Sequence, residues 1–123
     1  MKKILIVDDE PDILEFSKRR FDAAGYTAFT AANGIDGIET ARRVKPDLIL
    51  LDLVMPGKDG LAVLRELKGD EDLARIPVVI LTGKGDLDYL FQGERGGAID
   101  YFIKPCEWQE LLKFIEKYLV IAG

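Results

Sequence analysis

The sequence predicts an α/β domain built on a five-stranded parallel sheet wound on both faces by helices, and three observations carry that expectation. Short apolar runs alternate with amphipathic stretches of helical length, several runs are apolar throughout, and helix-starting and helix-ending residues punctuate the stretches between them. Uninterrupted apolar runs suit parallel strands, because helices cover both faces of such a sheet. The order reads as (βα)5 over a single domain spanning residues 1–123.

The strand runs are Ile4–Val7, Tyr26–Ala31, Leu48–Leu51, Val78–Leu81 and Ala98–Ile103. The second is the most mixed, as an edge strand would be. In the first helix Ile13, Leu14, Ser17, Phe21 and Ala24 recur at three- and four-residue spacing. Pro11 suits its first turn and Gly25 its C-terminal cap. Asn33 can cap the second helix, where Ile35, Ile38 and Ala41 form a stripe ended by Pro46. The third is expected to start near Asp59, with Leu61, Leu64 and Leu67 inward, and the fifth carries Leu111, Leu112, Ile115 and Leu119. A fourth helix over Leu87, Leu90 and Phe91 is followed by Gly93, Gly96 and Gly97, which cost helix stability and make it the expected mobile element.

Composition then excludes several function classes. A net charge of -5 does not provide the basic face that direct nucleic-acid binding requires. No apolar run approaches the roughly 20 residues that cross a bilayer, so membrane insertion is not expected. A lone cysteine, Cys106, cannot form an internal disulfide, and a small buried thiol is its expected state in a reducing cytoplasm. With no histidine in the chain, any phosphohistidine chemistry must come from another molecule.

In open α/β sheets, ligands bind beyond the carboxyl ends of the strands. Read that way, the first strand ends at Asp8 and Asp9, the third at Asp52, the fourth at Thr82 and the fifth at Lys104. Three carboxylates crowded at one rim repel one another unless a cation sits among them. All-oxygen ligands without histidine or thiolate favour a hard cation, and Mg2+ fits better than calcium or zinc. Lys104 adds a fixed positive charge and Thr82 a hydroxyl donor, so metal, ammonium and hydroxyl together could hold a phosphoryl group. Asp52 is favoured as the nucleophile because it stands alone after an apolar strand, whereas Asp8 and Asp9 share a site as ligands would.

The segments KILIVDDEPDI, LILLDLVMPGKDG, VVILTG and GGAIDYFIKP together make the whole chain similar to the receiver domain of two-component response regulators, of the stand-alone type. The resemblance implies a flavodoxin-like, three-layer α/β/α arrangement with strand order 2-1-3-4-5. It also implies that Asp8 and Asp9 are the acidic metal pair, Asp52 the phosphoacceptor, Thr82 the switch hydroxyl, Tyr101 the switch aromatic and Lys104 the partner lysine. The backbone carbonyl of Val54 is implied as a further metal ligand, and Lys104-Pro105 as a cis peptide. Val54 and Lys84 are expected to set the lifetime of the phosphoryl group by hindering the attacking water.

The function so implied is a phosphorylation-dependent signalling switch, not an enzyme beyond its own phosphoryl transfer and autodephosphorylation. Its expected partners are a sensor histidine kinase or histidine phosphotransfer protein and a downstream protein target. The target would read the face made by helix four, strand five and helix five, with the domain a monomer or a phosphorylation-linked dimer. Trp108, Phe114 and Tyr118 do not all fit the inward stripe of helix five, and some of them are expected at its flank, covering the helix stem or contacting a partner. Two other readings stay open: a phosphorylation-independent adaptor on the same fold, and a phosphohydrolase of the haloacid dehalogenase type. The second lacks the aspartate that such enzymes carry two residues after the nucleophile, since Glu10 and Val54 stand at those positions.

Overall fold

In the computed structural model, residues 2–53, 60–83, 95–98, 100–104 and 108–122 are described. Strands β1 (Lys3–Val7), β2 (Thr27–Ala31), β3 (Leu48–Leu51), β4 (Val78–Gly83) and β5 (Asp100–Lys104) form one parallel sheet in the order β2-β1-β3-β4-β5. Helices α1 (Pro11–Ala23), α2 (Gly34–Val44) and α3 (Gly60–Gly69) and a C-terminal helix (Trp108–Ala122) cover it. The predicted order holds, and the mixed second strand is indeed an edge. The fourth predicted helix, over Leu87–Phe91, lies outside the described residues, as do Pro105 and Cys106.

Alternation along the central strands divides the interior into two layers. Leu5, Val7, Ile49, Leu51 and Ile80 meet Ile38 and Ala41 of α2 and Leu61, Leu64 and Leu67 of α3 on one face. On the other, Ile4, Ile6, Leu48, Leu50 and Val79 meet Leu14 and Phe21 of α1 and Leu111, Ile115 and Leu119 of the C-terminal helix. Residues 48–51 are wholly buried, so β3 is a central strand in packing as well as in order.

Helix ends follow local chemistry. Pro11 opens α1 without requiring a hydrogen-bonded N–H, and Gly25 takes φ 98 just past its end, a left-handed turn that a side chain would strain. The Asn33 side chain accepts the Asp36 N–H at 2.9 Å, as expected for a cap on α2. Two stripe assignments are corrected. Ile35 is 66% exposed, because it faces the cleft between α2 and α3 with Glu39, Arg42 and Glu66 instead of the sheet. Ala24 is exposed because α1 stops at Ala23, and Ile13 is half-buried, leaving Leu14, Ser17 and Phe21 as the inward face. Leu112, Trp108, Phe114 and Tyr118 are half-buried and pack against the second layer, which places those three aromatics at the flank of their helix.

Candidate functional site

Strand pairing creates the site. β1 and β3 run parallel with Val7 opposite Leu51, so the residues that follow them, Asp8 and Asp52, emerge side by side. The Asp52 N–H donates to the Val7 carbonyl at 3.0 Å, and the Asp8 N–H donates to the Ala31 carbonyl at 3.1 Å. These bonds carry the ladder one step past the strands and fix both backbones.

Oxygens from Asp8, Asp9 and Asp52 all lie within 4.8 Å of one another. Asp8 is 1% exposed, Asp52 7% and Asp9 half-buried, so the cluster is withdrawn from bulk water that would otherwise screen it. Asp8 also accepts the Glu10 N–H at 3.0 Å, which orients its carboxylate and closes the turn into α1. The expected strand-end grouping is therefore present for all three acids. An all-oxygen, wholly anionic donor set with partial burial fits a hard divalent cation, which would offset their mutual repulsion.

The remaining expected positions are reached in part. Thr82 and Lys104 stand at the carboxyl ends of β4 and β5, one rim with the acids, and their backbones are paired through Thr82↔Ile103 and Gly83↔Lys104. β4 runs one residue beyond Thr82, so this threonine is the penultimate strand residue and not the last. Their side chains, together with Val54 and Lys84, lie outside the described residues. Tyr101, on β5, is 37% exposed.

One residue that the sequence reading passed over belongs to this site. The Gly60 N–H donates to the Leu53 carbonyl at 2.9 Å, and its Cα lies against the backbone of Asp52 and Leu53. The only signal for it in the sequence is a glycine at the start of a helical stretch, where other residues form helix better.

Comparison with known proteins places this arrangement. Residues 4–116 match the response regulator receiver domain family. Protein PilH from Pseudomonas aeruginosa is 41% identical over 123 residues, covering 100% of both chains. The DNA-binding dual master transcriptional regulator RpaA from Synechocystis is 40% identical over 119 residues, 97% of this chain but 49% of the relative, so here the chain spans about half its relative's length. The crystallised chemotaxis protein CheY4 of Vibrio cholerae superposes with a TM-score of 0.89 at 27% identity, covering 96% of this chain and 98% of the other. The chain belongs to the response regulator receiver domain family, and its function is that of a phosphorylation-dependent switch in two-component signalling.

Proposed function

We propose that Asp52 is the phosphoacceptor of this switch and that Asp8 and Asp9, with the Val54 carbonyl, complete a site for Mg2+. The observation that carries the reading is the convergence of three carboxylates within 4.8 Å at the ends of two adjacent central strands. When bound, the cation neutralises charge that develops on the transferring phosphoryl group.

The chain's own residues do the rest. A carboxylate oxygen of Asp52 attacks the phosphorus of an external phosphohistidine, the P–N bond breaks, and the bonding pair leaves with the imidazole. An acyl phosphate results. Thr82 donates a hydroxyl hydrogen bond to it and Lys104 pairs with its negative oxygens, both from the rim on which Asp52 stands. Drawing Thr82 inward lets Tyr101 repack, and the partial exposure of that ring supports its having an outward position to leave. The surface around β5 and the C-terminal helix then favours a protein partner. Water attack on phosphorus restores the carboxylate, and Val54 and Lys84 slow this step by hindering the approach of water.

On this reading the whole chain is one receiver domain that catalyses only its own modification and its reversal. It works in the cytoplasm, as a monomer or a phosphorylation-linked dimer, between a histidine kinase or phosphotransfer protein and a downstream protein. No described helix is long and apolar enough to cross a membrane, and the net charge of -5 argues against direct nucleic-acid contact.

Labelling by acetyl phosphate in Mg2+ tests the assignment. Asp52→Ala is expected to lose the modification and Asp72→Ala, altered at an exposed aspartate, to keep it; equal labelling overturns the proposal. Beryllofluoride with Mg2+ separates a switch from a phosphorylation-independent adaptor, because only a competent pocket binds it and shifts the tryptophan signal. For the lifetime, hydrolysis within seconds that Val54→Asn leaves unchanged would rule out the assigned roles of Val54 and Lys84.

A further inference from the structure

Gly60 begins α3 immediately against the chain that leaves the acidic site. A methyl group built on it would fall deep inside contact range of the Asp52 carbonyl oxygen and the Leu53 Cα, both backbone atoms that no side-chain rotation can clear. Leu53 is wholly buried, so that backbone has no free direction in which to retreat. Gly37 faces the side chain of Val7, the nearest methyl group at 3.0 Å, and Gly97 the flexible stem of Lys68 at 3.2 Å, while Gly69 at the far end of α3 has nothing within 4 Å. Helix preference at Gly60 argues for alanine, since glycine is the poorer helix former. Its φ is not one reserved for glycine, so the close approach alone requires the missing side chain.

We infer that Gly60 is a positioning residue for phosphoryl acceptance. Its bare Cα lets the first turn of α3 press on the Asp52–Leu53 backbone, and its N–H, holding the Leu53 carbonyl, fixes the direction in which the Asp52 carboxylate meets Asp8 and Asp9. This inference rests on the reading of Asp52 as the acceptor. Bonds from two sides then hold the segment: the Asp52 N–H to Val7 from β1, and the Leu53 carbonyl to Gly60 from α3. Removing the second leaves the carboxylate attached to the sheet but free to turn. Displacements of about 1 Å are enough to cost such a reaction on the order of a hundredfold.

The test compares Gly60→Ala with Gly37→Ala, two glycines in tight helical positions of which only the first touches the acceptor backbone. Acetyl phosphate labelling and Mg2+ binding, followed by the Trp108 signal, are both measured on folded protein. Gly60→Ala is expected to lower the labelling rate about a hundredfold and Mg2+ affinity about tenfold, with Gly37→Ala changing neither. Wild-type values in Gly60→Ala, or equal losses in both variants, overturn the inference.

A second measurement on the unaltered chain decides the matter even if Gly60→Ala does not fold. On titration with Mg2+, the Gly60 amide resonance is expected to move along the same binding curve as that of Asp52 while Gly69 stays still; a stationary Gly60 sinks the inference. Failure of the unaltered chain to be labelled at Asp52 would overturn the acceptor assignment, and the role of Gly60 with it.

Discussion

Phe21 meets the indole of Trp108 edge-on, with ring centroids 4.6 Å apart and planes inclined at 72°. The contact joins the last turn of α1 to the first residue of the C-terminal helix, over the sheet face that β1 and β3 present with Ile4, Ile6, Leu48 and Leu50. Tyr26 packs edge-on against the same Phe21 ring at 6.1 Å, so a single side chain closes one end of the second layer. Phe21→Ala should therefore cost about 3–5 kcal/mol through lost burial and the cavity left behind. Phe16, 51% exposed, lies edge-on to Trp108 with ring centroids 6.5 Å apart, and Phe16→Ala should cost under about 1 kcal/mol. Urea unfolding followed by Trp108 emission measures both, and equal losses would show that this aromatic contact does not organise the layer.

The acidic cluster predicts an inverse relation between function and stability. Without divalent cations, replacing Asp52 by asparagine keeps its shape and removes one of the three crowded charges. Asp52→Asn should melt higher by about 4 °C, equivalent to about 1 kcal/mol, in chelator. Adding Mg2+ should raise the melting temperature of the unaltered chain more than that of the variant, because binding stabilises only the state that binds. Calorimetry in chelator and in Mg2+ would contradict this if the variant melted lower in the first or gained as much in the second.

Lys45 ends α2 with φ 48, the left-handed conformation that costs any residue with a Cβ. Lys45→Gly should stabilise the fold by about 0.5–1 kcal/mol after the greater freedom of glycine in the unfolded chain is subtracted. Lys45→Ala keeps the strain and loses a cation near the helix end, so it should give no gain. Denaturant midpoints of the pair separate the two effects.

At the other end of that helix, Asn33→Ala removes the acceptor for the Asp36 N–H and should cost about 1 kcal/mol, with Asn33→Ser restoring most of it; Asn33→Asp should restore less, because it exchanges the amide donor to the Asp36 carboxylate, 3.0 Å away, for a second negative charge. The same unfolding assay applies, and an unchanged midpoint for the alanine variant would mean that solvent replaces the cap without cost.

Acid should weaken the junction between α1 and β2. The Lys18 ammonium, at 2.8 Å, and next the Ala28 N–H, at 3.1 Å, hold the Asp22 carboxyl below its ordinary 3.8. A depressed folded value means that the contribution is present above the unfolded value and is lost as pH falls through the folded one. Stability measured by urea from neutrality to below about pH 4 should fall less steeply in Asp22→Asn, and parallel curves would remove Asp22 from the account.

Much of this fold was legible in the sequence, for reasons that differ from element to element. The run LILL at 48–51 could only be buried on both sides, and Asn33, Pro11 and Gly25 mark helix ends through chemistry that acts within a few residues. Asp8, Asp9 and Asp52 were legible because a carboxylate after an apolar strand marks the rim of the sheet. Ile35 misled, since helical spacing identifies an apolar face without saying whether a sheet or a neighbouring helix lies opposite it. Gly60 stayed hidden for a related reason: the need for an absent side chain arises from backbone brought close in space, and nothing within a few residues of Gly60 signals it.

The bond from the Asp52 N–H to the Val7 carbonyl has a consequence for how such domains diversify. Peptide groups are common to all residues, so the spacing of the two buried acids is inherited with the ladder and survives wholesale replacement of the helices' outer surfaces. CheY4 illustrates the latitude, keeping the backbone at a TM-score of 0.89 with 27% identity. Duplicated copies in one cell can thus retain the same chemistry while drifting apart in whom they answer to, and insulation between parallel pathways can evolve without rebuilding the reactive centre.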